Sequence, residues 1–436
     1  MARNLYDRLV SDISCRSCGR HDGSSGMSNV TTYRGLRYAE ASRFEPSRAV
    51  GLGGLDRGRA RGPVPPQNPS RLEMVLGPQA PLDQSEDCLV LSVSTPDLNG
   101  SRPVLMWFHG GANLTGGGEL PWYDGTLFAE EQDVVVVVVT ARLGLFGFLR
   151  LEGADGPSLA TGDQLNAIQW VEQNVGRFGG DPGNVTIAGQ SAGATAVEAM
   201  LRWGVPSGVR GAILQSGYRL CEPATAADAS LRTEQFLDFA GRDPIDLSTA
   251  ELLDLQWRFA EVSPAIWTPV KPDVESPINT AVVAGWTRDD GLPFAMLAEG
   301  ASDPAVRAQK ADASRAFTEE WFTQGSRRIV ADARGAGCGG WLYEFIHEEP
   351  TSGWGAPHCA ELPYLFGDEE AWRYAPMLRG ANWDELRVRG REMRREWASF
   401  MRHQDPGDRW TSMVATTSSA VNRCYFEQSG ISVSAS

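Results

Sequence analysis

Short apolar runs alternate along the chain with helical patterns. Each run is rich in β-branched or aromatic residues and stops at glycine or a polar turn, and the runs lie at 103–111, 133–144, 184–189, 210–217 and 340–347. The valine run Val134–Val139 offers no polar position, which favours a central strand without a solvent face. These patterns predict buried strands.

Segments whose apolar residues recur at helical spacing lie between several of these runs. In 161–180, Leu165, Ile168, Val171 and Val175 recur at helical intervals before a glycine stop. Strands that alternate with helices predict an α/β fold, with a mostly parallel sheet covered by helices on both faces.

Length and charge narrow the class of protein. A chain of 436 residues with 42% apolar content can bury a large core, so we expect an irregular segment at 1–30 and a single domain at 31–436. The Gly/Pro/Arg-rich segment 51–70 is interpreted as irregular surface chain rather than a linker. A net charge of -15 argues against nucleic acid or an anionic membrane surface as partner.

The first residues lack the apolar h-region of a signal peptide, and no run approaches the roughly 20 apolar residues that span a bilayer. The sequence thus predicts a soluble, cytoplasmic protein. Seven scattered cysteines do not form a disulfide framework. Cys15, Cys18 and His21 have metal-like spacing but no second ligand pair, so their role stays open, and we expect no metal or organic cofactor.

The stretch "NVTIAGQSAGATAVEAM" at 184–200 joins a strand to a helix through a Gly-x-Ser-x-Gly turn centred on Ser191. This order is typical of a nucleophile elbow, in which the serine sits on a strained turn above the sheet. Gly189 and Gly193 would let the helix and the neighbouring strands approach the turn closely.

A serine nucleophile needs a base, a carboxylate that orients the base, and donors for an oxyanion. Of the five histidines, His358 is the best base, because it lies on a loop C-terminal to the serine. His109, in "WFHGGANLTGG", suits a structural role in an oxyanion loop. The acid must follow a strand between Ser191 and His358, and either Asp289 or Asp290 qualifies.

The chain resembles type-B carboxylesterases, the family of cholinesterases and bacterial para-nitrobenzyl esterases, from about Thr32 to Trp410. The segment "FGGDPGNVTIAGQSAG" at 178–193 matches the family's serine signature, and "SEDCLVLSVSTP" at 85–96 resembles its second signature. The blocks "ARLGLFGFL", "DQLNAIQWV", "AILQSG", "HCAELPYLFG" and "WASFMRHQDP" are similar to further family blocks in order.

This resemblance implies an α/β-hydrolase fold and a serine hydrolase that cleaves carboxylic esters through an acyl-serine. It implies Ser191 as nucleophile, His358 as general base and then acid, and Asp290 as orienting carboxylate where the family usually has Glu. Asp289 would then be a surface or turn residue. The implied oxyanion donors are the backbone N–H groups of Gly111, Ala112 and Ala192, and Ser216 would support the acid.

Two ion pairs are also implied by the family, Arg142 with Asp163 and Arg43 with Glu86. Both would be buried and would serve the fold rather than the chemistry.

Departures from the family pattern concern the substrate. Gln190 stands where the family usually has Glu, which makes a neutral small-molecule ester more plausible than a cationic one. The chain is shorter than most relatives, so we expect a reduced set of gorge-wall helices and a shallower pocket. Trp122, Trp267, Trp286 and Trp354 are either pocket-lining or ordinary core residues.

Three alternatives remain at this level. The acyl-serine could pass to an alcohol, amine or thiol, which would make the enzyme an acyltransferase, cyclase or thioesterase. Adhesion-type members of the family lack the serine, whereas Ser191 is present here, and lyase chemistry would call for an altered nucleophile or oxyanion loop. Fold does not set substrate, so the acyl and alcohol groups and the oligomeric state are not specified by the sequence.

Overall fold

A nine-stranded sheet forms the centre of the molecule, in the order β1-β4-β6-β5-β7-β8-β9-β10-β11. The computed structural model describes residues 30–53, 60–217, 223–263, 267–299, 304–349, 351–407 and 425–427. The strands are β1 Thr31–Arg37, β2 Ala39–Glu40, β3 Arg48–Ala49, β4 Val90–Thr95, β5 Arg102–Phe108, β6 Val135–Val139, β7 Gly180–Gln190, β8 Val209–Gln215, β9 Ala281–Thr287, β10 Gly340–Phe345 and β11 Tyr425–Glu427.

The six strands from β6 to β10 in this order pair in parallel, and they include every strand predicted from the apolar runs. Antiparallel pairing occurs only toward the edges of the described sheet, where β1 and β4 extend one side and β11 the other. The short strands β2 and β3 form a separate hairpin. The predicted mostly parallel sheet is confirmed.

Helices connect the strands and cover both faces of the sheet. Their bounds are α1 Glu73–Leu76, α2 Thr126–Gln132, α3 Gly144–Phe148, α4 Leu159–Asn174, α5 Ala192–Trp203, α6 Ala226–Ala240, α7 Thr249–Val262, α8 Leu292–Glu299, α9 Pro304–Thr318, α10 Gln324–Gly335, α11 Leu362–Phe366, α12 Glu369–Trp372 and α13 Trp383–His403. A π-helical turn, Glu319–Thr323, joins α9 to α10. The predicted helix at 161–180 corresponds to α4, which passes into a 3-10 turn and stops at Gly179 with φ +72°.

The valines of β6 show how the sheet separates two cores. Val136 and Val138 belong to the core that contains Trp397 and Phe400 of α13, whereas Val135, Val137 and Val139 belong to the core on the opposite face. Every residue of Val134–Val139 is buried, as a strand covered on both faces requires.

The predicted ion pairs are present. Arg142 and Asp163 are buried, with Nε and Nη2 donating to the carboxylate at 2.8 and 2.7 Å. Arg43 donates from Nε to Glu86 at 2.8 Å, but this pair is only partly buried, so the expectation that it is buried is wrong. Arg43 also contacts Thr249 at the start of α7, and thereby links distant segments.

The described residues of segment 51–70 are irregular, as predicted, but those from Val64 to Gln67 are buried and do not lie on the surface. Val64 and Gln67 are buried, and Gln67 donates to the carbonyl of Gly116 at 2.7 Å. The prolines of this stretch keep it out of a regular strand, while the apolar residue and the satisfied amide allow its burial. None of the helices in the described ranges is long and apolar enough to cross a membrane.

Candidate active site

Ser191 occupies the sharp turn between β7 and α5. Its backbone has φ 57° and ψ -124°, a region that a non-glycine residue rarely adopts. A methyl group on Gly189 would lie 2.4 Å from the backbone of Gly193, and one on Gly193 would lie 2.0 Å from the carbonyl oxygen of Phe108. The two glycines therefore permit the close contact between helix, turn and sheet that presents the serine.

His358 and Asp290 meet in the interior next to this turn. The Nδ1 of His358 donates to Oδ1 of Asp290 at 2.6 Å, and both side chains are fully buried. The second carboxylate oxygen of Asp290 accepts from the Ser216 hydroxyl at 2.8 Å and from the Thr287 backbone N–H at 2.9 Å. Asp290 is thus held as an acceptor on both oxygens, which fixes the histidine tautomer with its proton on Nδ1.

The other ring nitrogen of His358 contacts Gln190. The amide nitrogen of Gln190 lies 3.2 Å from Nε2 of His358, and Phe294 and Phe322 pack against the imidazole with centroid distances of 5.1 and 5.2 Å. Because Nδ1 carries the proton, Nε2 is an acceptor, and Gln190 donates to it. Ser191 and His358 line the same cavity.

The loop after β5 brings Gly111 and Ala112 to the same cavity as Ser191. Both residues have positive φ, 117° and 55°, so their backbone turns away from the extended path of the strand. Ala192 begins α5, and the N–H groups at the N-terminus of a helix interact favourably with a negative charge. His109 donates from Nδ1 to the carbonyl of Gly110 at 2.8 Å, and burial lowers its pKa, which suits a neutral structural residue.

Asp289 lies in the turn after β9, one of the two expected placements, and it is not a surface residue. It is only 4% exposed, and its Oδ2 accepts the backbone N–H of Ala356 at 2.9 Å. Its own N–H donates to the carbonyl of Ala356 at 2.9 Å, and Arg288 pairs with the carboxylate. Asp289 therefore connects the turn that carries Asp290 to the loop that carries His358. The signal in the sequence is the pair of adjacent carboxylates after a strand, one of which binds the histidine while the other binds the loop of the histidine.

Glu361 was missed by the sequence reasoning. It is completely buried three residues after His358, and burial together with the nearby Asp290 charge raises its pKa to about 8, while Tyr343 and Ser216 partly oppose this rise. The raised pKa favours the neutral form of the Glu361 carboxyl near pH 7. The signal in the sequence is a single acid directly before the apolar run Leu362–Phe366.

A cavity of about 390 Å³ opens onto Ser191 and His358. Its walls are mainly apolar and aromatic, and the tryptophans on them are Trp122, Trp257, Trp267 and Trp321. Trp286 and Trp354 pack elsewhere, against Arg327 and Arg307 respectively. Residues Asn68 to Leu72 also line the cavity, so the irregular segment and the chain before α1 contribute directly to the site.

Within the described ranges, no cluster of His, Cys, Asp and Glu could hold a metal ion. The Cys15, Cys18 and His21 group lies outside the described residues. Cys88, Cys338 and Cys359 are free thiols; burial raises the pKa of Cys88 and Cys359, so both remain protonated.

Comparison with known proteins agrees with this architecture. The model of the carboxylesterase family matches residues 16–254. A probable N-octanoylanthranilate hydrolase of Rhodococcus erythropolis is 35% identical, over 86% of this chain and 89% of the relative. Phenmedipham hydrolase of Pseudarthrobacter oxydans is 31% identical over 86% of each chain.

The solved structure of a PNB esterase superposes with a TM-score of 0.75 at 25% identity, over 89% of this chain and 90% of that one. The fold is therefore the α/β-hydrolase fold, with a mostly parallel sheet between layers of helices. From the family match, the relatives and the fold together, this chain belongs to the carboxylesterase family.

Proposed function

We propose that the protein hydrolyses carboxylic esters through an acyl-serine intermediate on Ser191. The observation that carries the proposal is the 2.6 Å hydrogen bond from His358 to Asp290, buried beside a serine in a strained turn at the wall of a cavity. A serine hydroxyl becomes an effective nucleophile only with such a base and an orienting acid. Membership of the carboxylesterase family supports the same reaction class.

In the acylation step, Oγ of Ser191 bonds to the carbonyl carbon while its proton passes to Nε2 of His358. The carbonyl oxygen becomes an oxyanion, for which the backbone N–H groups of Gly111, Ala112 and Ala192 are the proposed donors. The bond to the alcohol oxygen then breaks, and His358 returns the proton to the leaving alcohol.

Deacylation repeats these steps with water. His358 takes a proton from water, the hydroxide oxygen bonds to the acyl carbon, and the acid departs as Ser191 regains its proton. Asp290 keeps its charge throughout and stabilises the transient imidazolium, and Ser216 holds the carboxylate in place. These roles require no metal or organic cofactor.

The substrate is proposed to be a small molecule with a large apolar part. The aromatic walls of the cavity support this class, as do the names of two relatives, a probable N-octanoylanthranilate hydrolase and a phenmedipham hydrolase. The acidic balance of the chain supports a partner that is neither nucleic acid nor an anionic membrane surface.

The test is turnover of para-nitrophenyl esters from acetate to decanoate by the purified protein and three variants. We expect Ser191→Ala and His358→Ala to lower kcat by about 10⁶-fold, and Asp290→Asn by about 10⁴-fold. Full activity of a folded Ser191→Ala protein would overturn the proposal. A single burst of nitrophenol without turnover would instead favour transfer of the acyl group to another acceptor.

A further inference from the structure

The cavity at Ser191 differs in charge from the chain as a whole. The protein carries 55 acidic residues against 40 lysines and arginines, yet no aspartate or glutamate is among the described residues that line the cavity. Arg71 is the one permanently charged side chain on these walls, as far as the structure describes them. A ligand in the cavity therefore meets a single positive charge and no nearby negative one on its walls.

Arg71 is held in place by an aromatic ring. Its guanidinium carbon lies 5.5 Å from the centroid of the Trp257 ring, and both side chains are exposed at the edge of the cavity. Among the described residues, no carboxylate lies within ion-pair distance of Arg71. Stacking on a ring face restrains a guanidinium but leaves its in-plane N–H groups open to an acceptor.

A second stacked arginine in the same region behaves differently. Arg258 lies over Phe239 at 5.7 Å, and it also pairs with Asp254 at 3.4 Å. Neither Arg258 nor Phe239 lines the cavity. Arg258 thus has the ordinary arrangement of a solvated surface arginine that pairs with a carboxylate. Among the described residues, Arg71 has no such carboxylate partner and lies beside the site. Arg258 is therefore the matched control for Arg71.

The remaining walls accept an apolar body. Phe259 and Trp267 line the cavity together with Trp257, and Phe294, Phe317 and Trp321 line it as well. Transfer of an apolar molecule from water into such a space is favourable in free energy. A charged group on that molecule loses its hydration there and needs a partner of opposite sign. Arg71 can provide that partner at the edge, where the charge stays partly hydrated.

We infer that the natural substrate is an apolar or aromatic acyl compound that also carries a carboxylate, and that Arg71 binds this carboxylate. The inference rests on the proposed ester hydrolysis and makes its substrate anionic rather than neutral. Guanidinium and carboxylate match in shape and form two parallel N–H···O bonds, so recognition is directional as well as electrostatic. Arg71 is a specificity residue and takes no part in bond cleavage.

Two matched substrate pairs test the inference. Phenyl octanoate and 3-(octanoyloxy)benzoate differ by a carboxylate on the alcohol side, and 4-nitrophenyl octanoate and mono-4-nitrophenyl suberate differ by one on the acyl side. The wild type, Arg71→Gln, Arg71→Lys and the control Arg258→Gln are compared. In at least one pair, Arg71→Gln should lower kcat/KM for the charged ester by roughly 10-fold, mainly through KM, and leave the neutral ester within about 2-fold.

Further behaviour follows from the same contact. Arg71→Lys should retain part of the preference, because it keeps the charge but loses the paired donors. The preference should shrink as salt rises from about 20 mM to about 500 mM, because the contact is exposed. Arg258→Gln should act as the wild type does.

The outcomes separate the inference from the proposed function. Equal effects of Arg71→Gln and Arg258→Gln on both charged esters would overturn the inference, while turnover of the neutral esters would still support ester hydrolysis. If no ester is turned over, the proposed function fails. Calorimetric measurement of octanoate and octanamide binding then still tests whether Arg71 binds a carboxylate. The inference then requires Arg71→Gln to weaken octanoate binding several-fold and to leave octanamide unchanged.

Discussion

The amide nitrogen of Gln190 lies 3.2 Å from Nε2 of His358, the ring nitrogen that receives the proton of Ser191 in the proposed mechanism. The opposite nitrogen donates to Asp290, so Gln190 donates to an unprotonated Nε2. A neutral amide at this position stabilises the base form of the ring without adding charge. Gln190 is therefore a positioning residue for the histidine.

Gln190→Glu should move the acid limb of the kcat/KM profile to higher pH by about 1 unit. A carboxylate next to Nε2 favours the doubly protonated ring, so a lower proton concentration is needed to release the base. The measurement is kcat/KM for 4-nitrophenyl butyrate between pH 5 and about 9. Gln190→Met has a similar volume without charge and should show no such upward shift. An unmoved profile in the Glu variant would contradict this role.

Asp289→Ala should loosen the loop that carries His358. The variant removes the acceptor for the Ala356 N–H and leaves Arg288 with Glu348 as its ion-pair partner. We expect a loss of about 2 to 4 kcal/mol in the free energy of unfolding and a fall of about 10-fold in kcat. Urea unfolding and steady-state kinetics measure the two effects.

The control for Asp289 is Asp312→Ala, which removes an exposed ion pair with Arg315 on α9. It should change the unfolding free energy by less than about 0.5 kcal/mol and leave kcat unchanged. If Asp289→Ala behaved like this control, the loop of His358 would not depend on Asp289.

Glu361 should make the protein less stable as the pH rises. Its pKa in the fold is about 8, above the ordinary value of 4.5, so the folded state favours the neutral acid. The corresponding stabilisation is complete below about pH 4.5 and disappears as the pH rises toward about 8, with a slope of at most about 1.4 kcal/mol per pH unit.

Glu361→Gln keeps the shape of the side chain and cannot ionise. The difference in unfolding free energy between wild type and variant, measured by urea unfolding at several pH values, should therefore favour the variant increasingly between pH 5 and about 8. A difference that stays constant over this range would show that Glu361 titrates at its ordinary pKa.

Gly193→Ala should prevent correct folding of the elbow. The added methyl group would lie 2.0 Å from the carbonyl oxygen of Phe108, a backbone atom that cannot move aside as a flexible side chain could. We expect a loss of at least about 3 kcal/mol in stability, seen as a lower thermal midpoint and loss of activity. Gly162→Ala, in the first turn of α4 with open space around it, should instead stabilise by about 0.5 to 1 kcal/mol.

The strands and the region of the site could be predicted because their signals are local. An uninterrupted run of β-branched valines favours a strand covered on both faces, and the order strand, elbow, helix places Ser191 at the C-terminal end of a strand. The meeting of Asp290 with His358 depended on family resemblance, because contacts between residues so far apart in sequence leave no local pattern.

The features that escaped prediction depend on tertiary packing. The burial of Asp289 results from its pairing with the Ala356 backbone, and the burial of Gln67 results from its bond to Gly116. Composition alone assigns both side chains to the surface. Arg71 is likewise unremarkable in sequence, and its significance comes from the absence of carboxylates on the described walls around it.

The bond between Asp289 and Ala356 has a consequence for the order of assembly. The segment with Ser191 is made first during synthesis, whereas the proposed base, His358, lies on a later loop that is bonded to the turn after β9. A nascent chain that has completed the serine turn is therefore still inert. Under the proposed mechanism, catalytic competence requires that the later strands have joined the sheet.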